Sequence, residues 1–136
     1  ICDRAYTHLR ILIIFDIIYS NIYRSDCMKL AIIGSRSIKN LNLDKYIPKN
    51  VTEIVSGGAV GVDFSAREYA LKNGIKIKEF LPEYEKYGKS APLKRNLQII
   101  EYSDEIFAFW NGKSRGTAFV IKNSRKMGKK LSVYMI

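Results

Sequence analysis

The sequence predicts an α/β domain of three layers: a Rossmann-like, doubly wound parallel sheet of about five strands with helices on both faces. Two observations predict it. Short apolar runs alternate with segments whose apolar residues recur at helical spacing. One join, Ser56-Gly57-Gly58-Ala59-Val60-Gly61-Val62-Asp63, passes from an apolar run through glycines into a helical run. Strand, glycine-rich turn, helix is the layout that cradles phosphate, because free N–H groups at the helix start face the anion. The turn is not a Walker loop, since no Gly-Lys-Ser/Thr follows, and it is not GxGxxG.

Strand one is expected over Lys29–Ile33, followed by a short helix or turn around Leu43–Tyr46 that Pro48 closes. Strand two is Thr52–Val55. A helix over Val62–Asn73 follows, with Ala66, Tyr69 and Ala70 on one face and Asn73-Gly74 as its stop. Strand three, Ile75–Phe80, alternates lysines with Ile75, Ile77 and Glu79. The next helix starts near Ser90, where Pro92 suits the first turn, and Leu93, Leu97 and Ile100 form its apolar stripe. Strand four is Glu105–Trp110. The last helix runs from Gly116-Thr117 to Met127, and strand five is Leu131–Ile136. Strands alternating with helices imply a parallel sheet covered on both sides. Ligands of such sheets bind beyond the carboxyl ends of the strands.

The 136 residues suit one domain, and 47% hydrophobic content supplies a core. The formal charge is +10. Residues 1–27 hold three basic and three acidic side chains, so the whole excess lies from Met28 onward. A solvated lysine-rich surface explains that excess first, and affinity for nucleic acid second. Both cysteines, Cys2 and Cys27, and the single histidine, His8, also precede Met28. The body therefore has no cysteine nucleophile, no histidine base and no Cys/His zinc site, and no metal site is expected. A core without cysteine suits a reducing compartment, and the expected location is the cytoplasm.

Residues 1–27 read differently from the rest. The run Ile11–Ile18 is apolar but too short to span a membrane, and Asp16 interrupts it. Met28 reads as a start leading straight into strand one. Residues 1–27 are therefore expected to be an extension outside the native domain of 28–136. An extra helix or edge strand is the rival reading.

Four loops should share one edge of the sheet: Gly34-Ser35-Arg36, Ser56-Gly57-Gly58, Leu81–Lys89 and Asn111–Thr117. Gly57, Gly58, Gly61, Gly116 and Thr117 offer backbone donors at helix starts. Arg36, Lys89, Arg95 and Arg115 offer charge-assisted bonds. Tyr84, Tyr87 and Trp110 can stack on a base. Each has a plainer reading. The glycines allow tight turns, Trp110 ends a buried strand, Arg36 pairs with Glu83 or Asp63, and Asp63 is a helix-start acid.

Taken together, Ile33-Gly34-Ser35-Arg36, Ser56–Asp63, Lys94-Arg95-Asn96 and Phe109–Thr117 resemble the SLOG superfamily, most closely its YspA/YpsA-related branch. The resemblance covers Met28 to Ile136. It implies a homodimer whose partner is a nucleotide-derived small molecule, with no membrane role and no particular cofactor. The loops and the resemblance together give the expected ligand-binding residues: Gly34, Ser35, Arg36, Ser56, Gly57, Gly58, Gly61, Asp63, Lys89, Arg95, Asn96, Trp110, Ser114, Gly116 and Thr117. Two relatives imply different functions. The cytokinin-activating phosphoribohydrolases carry Gly-Gly-x-Gly-Thr-x-x-Glu. Here Gly116-Thr117 match, but Val120 stands at the glutamate. The DNA-processing protein of transformation has a loop like Ser56–Asp63 and binds single-stranded DNA. The leading expectation is a domain that binds a nucleotide derivative, as a sensor. An N-glycosidase-type hydrolase using Asp63 or Glu83 is one alternative. Binding of single-stranded nucleic acid is the other.

Overall fold

The computed structural model describes residues 27–136, so the expectations for the segment before Cys27 lie outside the described residues. Cys27 itself is disulfide-bonded. From Met28 the chain forms β1 (Lys29–Gly34), β2 (Glu53–Ser56), α1 (Val62–Lys72), β3 (Lys76–Glu79), α2 (Tyr84–Tyr87), α3 (Ala91–Tyr102), β4 (Glu105–Trp110), α4 (Arg115–Lys126) and β5 (Lys130–Met135). The five strands make one parallel sheet in the order β3-β2-β1-β4-β5. This is the predicted three-layer, Rossmann-like architecture.

The strand sequences fit their places. β1, β2 and β4 are central and almost wholly buried, so they read as continuous apolar runs. β3 is an edge, and its lysines point to solvent while Ile77 and Glu79 are half-buried. Side chains alternate across the sheet. Leu30, Ile32, Ile54, Phe107 and Phe109 pack with Val62, Ala66 and Ala70 of α1. Ala31, Ile33, Val55 and Ile106 pack on the other face with Ile99, Ile100 and Val120 of α3 and α4.

Of the short helix or turn expected between β1 and β2, the turn forms: the amides of Tyr46 and Ile47 both donate to the Leu43 carbonyl. Leu43, Ile47 and Val51 cover the α1 face of the sheet from that connection. Two expectations change further on. The segment after β3 is broken: α2, then a 3-10 turn over Gly88–Ser90, then α3. Finally, the buried face of α3 is not Leu93, Leu97 and Ile100. Leu93 is exposed, and the buried residues are Ala91, Arg95, Asn96, Ile99 and Ile100. Two polar side chains sit in the buried stripe, so counting apolar residues rotates the face away from its true position.

Candidate functional site

The chain reaches β3 at one edge, then returns past β1 to build β4 on the other side. The loops after β1 and β4 therefore diverge, and a crevice opens between them at the carboxyl edge, where such folds bind ligands. A cleft of about 470 Å³ occupies this place. That volume lies within the ~300–1,000 Å³ usual for ligand sites.

Its walls come from four segments. The β1 loop contributes Gly34, Ser35, Arg36 and Ser37; the β4 loop and α4 start contribute Asn111, Lys113, Ser114, Gly116 and Thr117. Ala59 and Asp63 come from the β2 loop and α1, and Pro92, Arg95 and Asn96 from α3. Of the residues expected from the sequence, Gly34, Ser35, Arg36, Asp63, Arg95, Asn96, Ser114, Gly116 and Thr117 meet here. Ser56, Gly57, Gly58, Gly61, Lys89, Trp110 and Glu83 do not line it.

The residues outside have other work. Gly61, together with Gly34 of the cleft wall, lets the β1 loop lie against α1: a Cβ on Gly34 would sit 2.5 Å from Val62 Cγ2, and one on Gly61 2.6 Å from the Arg36 carbonyl oxygen. A Cβ on Gly58 would face Leu81, and that residue's φ is +69°. The loop amides are also engaged within the protein. Gly58 N–H donates to Ser56 Oγ at 3.3 Å, and Ala59 N–H to Asp63 Oδ2 at 3.2 Å. The glycine turn thus shapes one wall of the cleft, with these two amides already satisfied. Trp110 Nε1 donates to the Ser114 carbonyl at 3.0 Å, so the indole braces the β4 loop. Tyr84, Glu83 and Lys89 are exposed, and Tyr87 sits under the ammonium groups of Lys86 and Lys94.

Arg95 is the keystone of one wall. It is 8% exposed, and its Nη1 donates to the carbonyls of Gly57 (2.6 Å) and Phe80 (3.2 Å). Its Nε donates to Asn96 Oδ1 at 2.8 Å. One guanidinium therefore ties the ends of β2 and β3 to α3. Burial lowers its pKa, the Asp63 charge opposes this, and the nearby Arg36 lowers it further.

Asp63 faces the same cleft and is 7% exposed. Its Oδ1 has no hydrogen-bond partner in the protein. Burial pushes the carboxyl up from an ordinary 3.8 to about 6, against the Ala59 amide, the Arg95 charge and the Gly57 amide, with Glu79 adding to the rise. The buried Glu105 also has an unpaired oxygen, but it starts β4 at the opposite edge, beside Lys130.

The opposite wall is organised by Asn111, which the sequence reading did not single out. Its Oδ1 accepts from Lys113 N–H and Ser114 N–H at 2.9 Å each, its backbone N–H donates to Ser35 Oγ, and its Nδ2 donates to Ser37 Oγ. Asn-Gly marks a turn in the sequence, but the ties to β1 arise only once the sheet forms. Ser114 caps α4 by accepting from Thr117 N–H at 3.4 Å.

No family model matches the chain, and no curated protein matches it. Among solved structures the fold is similar to the X-ray structure of DNA processing protein A (DprA) from Streptococcus pneumoniae. The TM-score is 0.64 and the identity 19%, over 78% of this chain and 50% of that one. At that identity the likeness shows the fold. This chain spans half the length of that neighbour. DNA-processing proteins are among the relatives that the sequence resemblance names. No helix among the described residues is long and apolar enough to cross a membrane.

Proposed function

We propose that the cleft binds the phosphate of a nucleotide or nucleotide derivative, and that the domain acts as a sensor of that ligand, as a homodimer in the cytoplasm. The supporting observation is the unbalanced charge of the cleft. Arg36, Arg95 and Lys113 line it, against Asp63 as its one carboxylate among the described residues. Arg36 makes no ion pair with a described residue, and its charge acts unfavourably on Arg95. An anion between them relieves that repulsion, and a phosphate accepts charge-assisted bonds from both. Ser114 caps only the Thr117 N–H, so the start of α4 adds the N–H groups of Arg115 and Gly116, which no side chain caps.

Titration calorimetry with inorganic phosphate, pyrophosphate and a panel of nucleotides tests this reading. At least one phosphate compound is expected to bind more tightly than 1 mM, about −4 kcal/mol. No heat from any of them at millimolar concentration overturns it. Sedimentation at micromolar concentration tests the dimer; a monomer with and without ligand removes that part.

A single strand of nucleic acid is the second reading. The structural neighbour's name, DNA processing protein A, and the +10 charge favour it. Against it, Trp110 is spent on the β4 loop, and neither Tyr84 nor Tyr87 lines the cleft. Single-strand grooves combine positive charge with stacking aromatics. Oligonucleotide binding without any mononucleotide binding would make this the better reading.

A further inference from the structure

The cleft has two chemically different ends. β1 lies between β2 and β4. Lys113, Ser114, Gly116 and Thr117 stand at the β4 end, where the α4 N-terminus and a lysine favour an anion. Asp63 stands beyond β2 at the other end. The β1 loop lies between these two ends. An ionised carboxylate repels phosphate, so Asp63 must meet a different part of the ligand.

Its needs are specific. Oδ2 is committed to the Ala59 amide, while Oδ1 has no partner. A buried oxygen without a donor is costly, and native sites keep one when a ligand supplies the donor. The donor is not a cationic group, because Arg36, Arg95 and Lys113 already make the cleft positive. It is a neutral N–H or O–H on an otherwise anionic molecule. A phosphosugar has this composition, with the anion at one end and hydroxyl donors a few bonds away.

Resting on the phosphate reading above, we propose that Asp63 accepts a hydrogen bond from a ribose hydroxyl of the bound ligand, so that the site takes ribonucleotides and discriminates against deoxyribonucleotides. A small rotation of the carboxyl group presents Oδ1 to the cleft while the Ala59 amide keeps its acceptor. The glycine turn then has a second consequence. By placing Asp63 at the start of α1, it sets which sugar the cleft reads, while the grip on phosphate comes from the β1 and β4 loops and Arg95.

The test is a titration of ribose 5-phosphate against 2-deoxyribose 5-phosphate. It is repeated with AMP, GMP, CMP and UMP against their 2′-deoxy and 3′-deoxy forms. The wild type is expected to prefer the ribose form over at least one deoxy form by roughly ten-fold or more, the worth of a bond to a charged acceptor. Asp63→Asn is expected to bring that ratio close to one. Equal binding of ribose and both deoxy forms by the wild type overturns this proposal and leaves the phosphate reading standing. An undiminished preference in Asp63→Asn also overturns it, since the discrimination then resides elsewhere. Absence of binding by every phosphate compound removes both readings.

Discussion

Asp63 destabilises the empty protein and equips the site at the same place. Its folded-state pKa of about 6 lies above the ordinary 3.8, chiefly because burial penalises the charge. The folded state therefore holds more protons than the unfolded state between those values, and stability falls as pH rises through that window. Full ionisation costs on the order of 3 kcal/mol. Asn keeps an acceptor for the Ala59 amide and carries no charge. Asp63→Asn is thus expected to melt several degrees higher than wild type at pH 7, with the difference closing near pH 4. Equal melting at pH 7 would show that the buried charge is compensated. Arg95 has the opposite balance. Its Nη1 holds the Gly57 and Phe80 carbonyls, and bonds from a charged donor are worth about 1.5–3 kcal/mol. Arg95→Ala is expected to lower stability by about 2–4 kcal/mol in urea denaturation, whether or not ligand is present. A loss below about 0.5 kcal/mol would mean that the guanidinium serves the ligand alone. Both residues were legible in the sequence as candidates. The unpaired oxygen and the double carbonyl bond were not, because they depend on distances between segments far apart in the chain.

Among the elements, the glycines separate into those that close the fold and one that opens the cleft. Gly61 caps α1 at φ +78°, and a Cβ there would lie 2.6–2.7 Å from three backbone atoms of Arg36. Backbone cannot swing aside as a side chain does. Gly61→Ala is expected to cost more than about 3 kcal/mol and to prise the β1 loop from α1. Gly116 lies in the first turn of α4, with nothing within 4 Å of an added Cβ and no positive φ. Gly116→Ala is expected to gain about 0.5–1 kcal/mol through helix propensity, while adding a methyl to the cleft wall. Urea denaturation of both variants checks the contrast, which fails if the two shift alike. The sequence placed every strand and all three long helices within a few residues, because their apolar periods are strong. It misplaced the face of α3, where Arg95 and Asn96 interrupt the apolar count. It also read the segment before α3 as loop, where α2 and a 3-10 turn starting at Gly88, at positive φ, form. A single polar residue in a buried stripe is enough to mislead periodicity, and such residues are the ones a site requires.

For the molecule as a whole, the strand order explains why residues from four separated segments converge. The crossover from β3 to β4 puts the β1 and β4 loops on either side of one crevice; the alternating pattern showed that the loops share one edge, but not the strand order that opens the crevice between β1 and β4. The chemistry performed there does not follow from the fold, which serves many functions. Catalytic use of the cleft meets a specific obstacle. The position at which the phosphoribohydrolases that the sequence resembles carry glutamate is Val120, fully buried against Ala31, Ile33 and Ile106 under the sheet. Neither Glu83 nor any histidine or cysteine lines the cleft, and Asp63 is the single carboxylate there among the described residues. Glycosidases that hydrolyse by acid–base chemistry ordinarily use two carboxyl groups, one to protonate the leaving group and one to activate water or trap the sugar cation. One carboxylate already bonded to a loop amide supplies at most half of that pair. Incubation with a panel of nucleoside monophosphates is therefore expected to release free base far more slowly than ~10 per second, a median enzyme rate. Turnover near that rate would overturn the sensor reading, and its loss in Asp63→Asn would name Asp63 as the catalytic group.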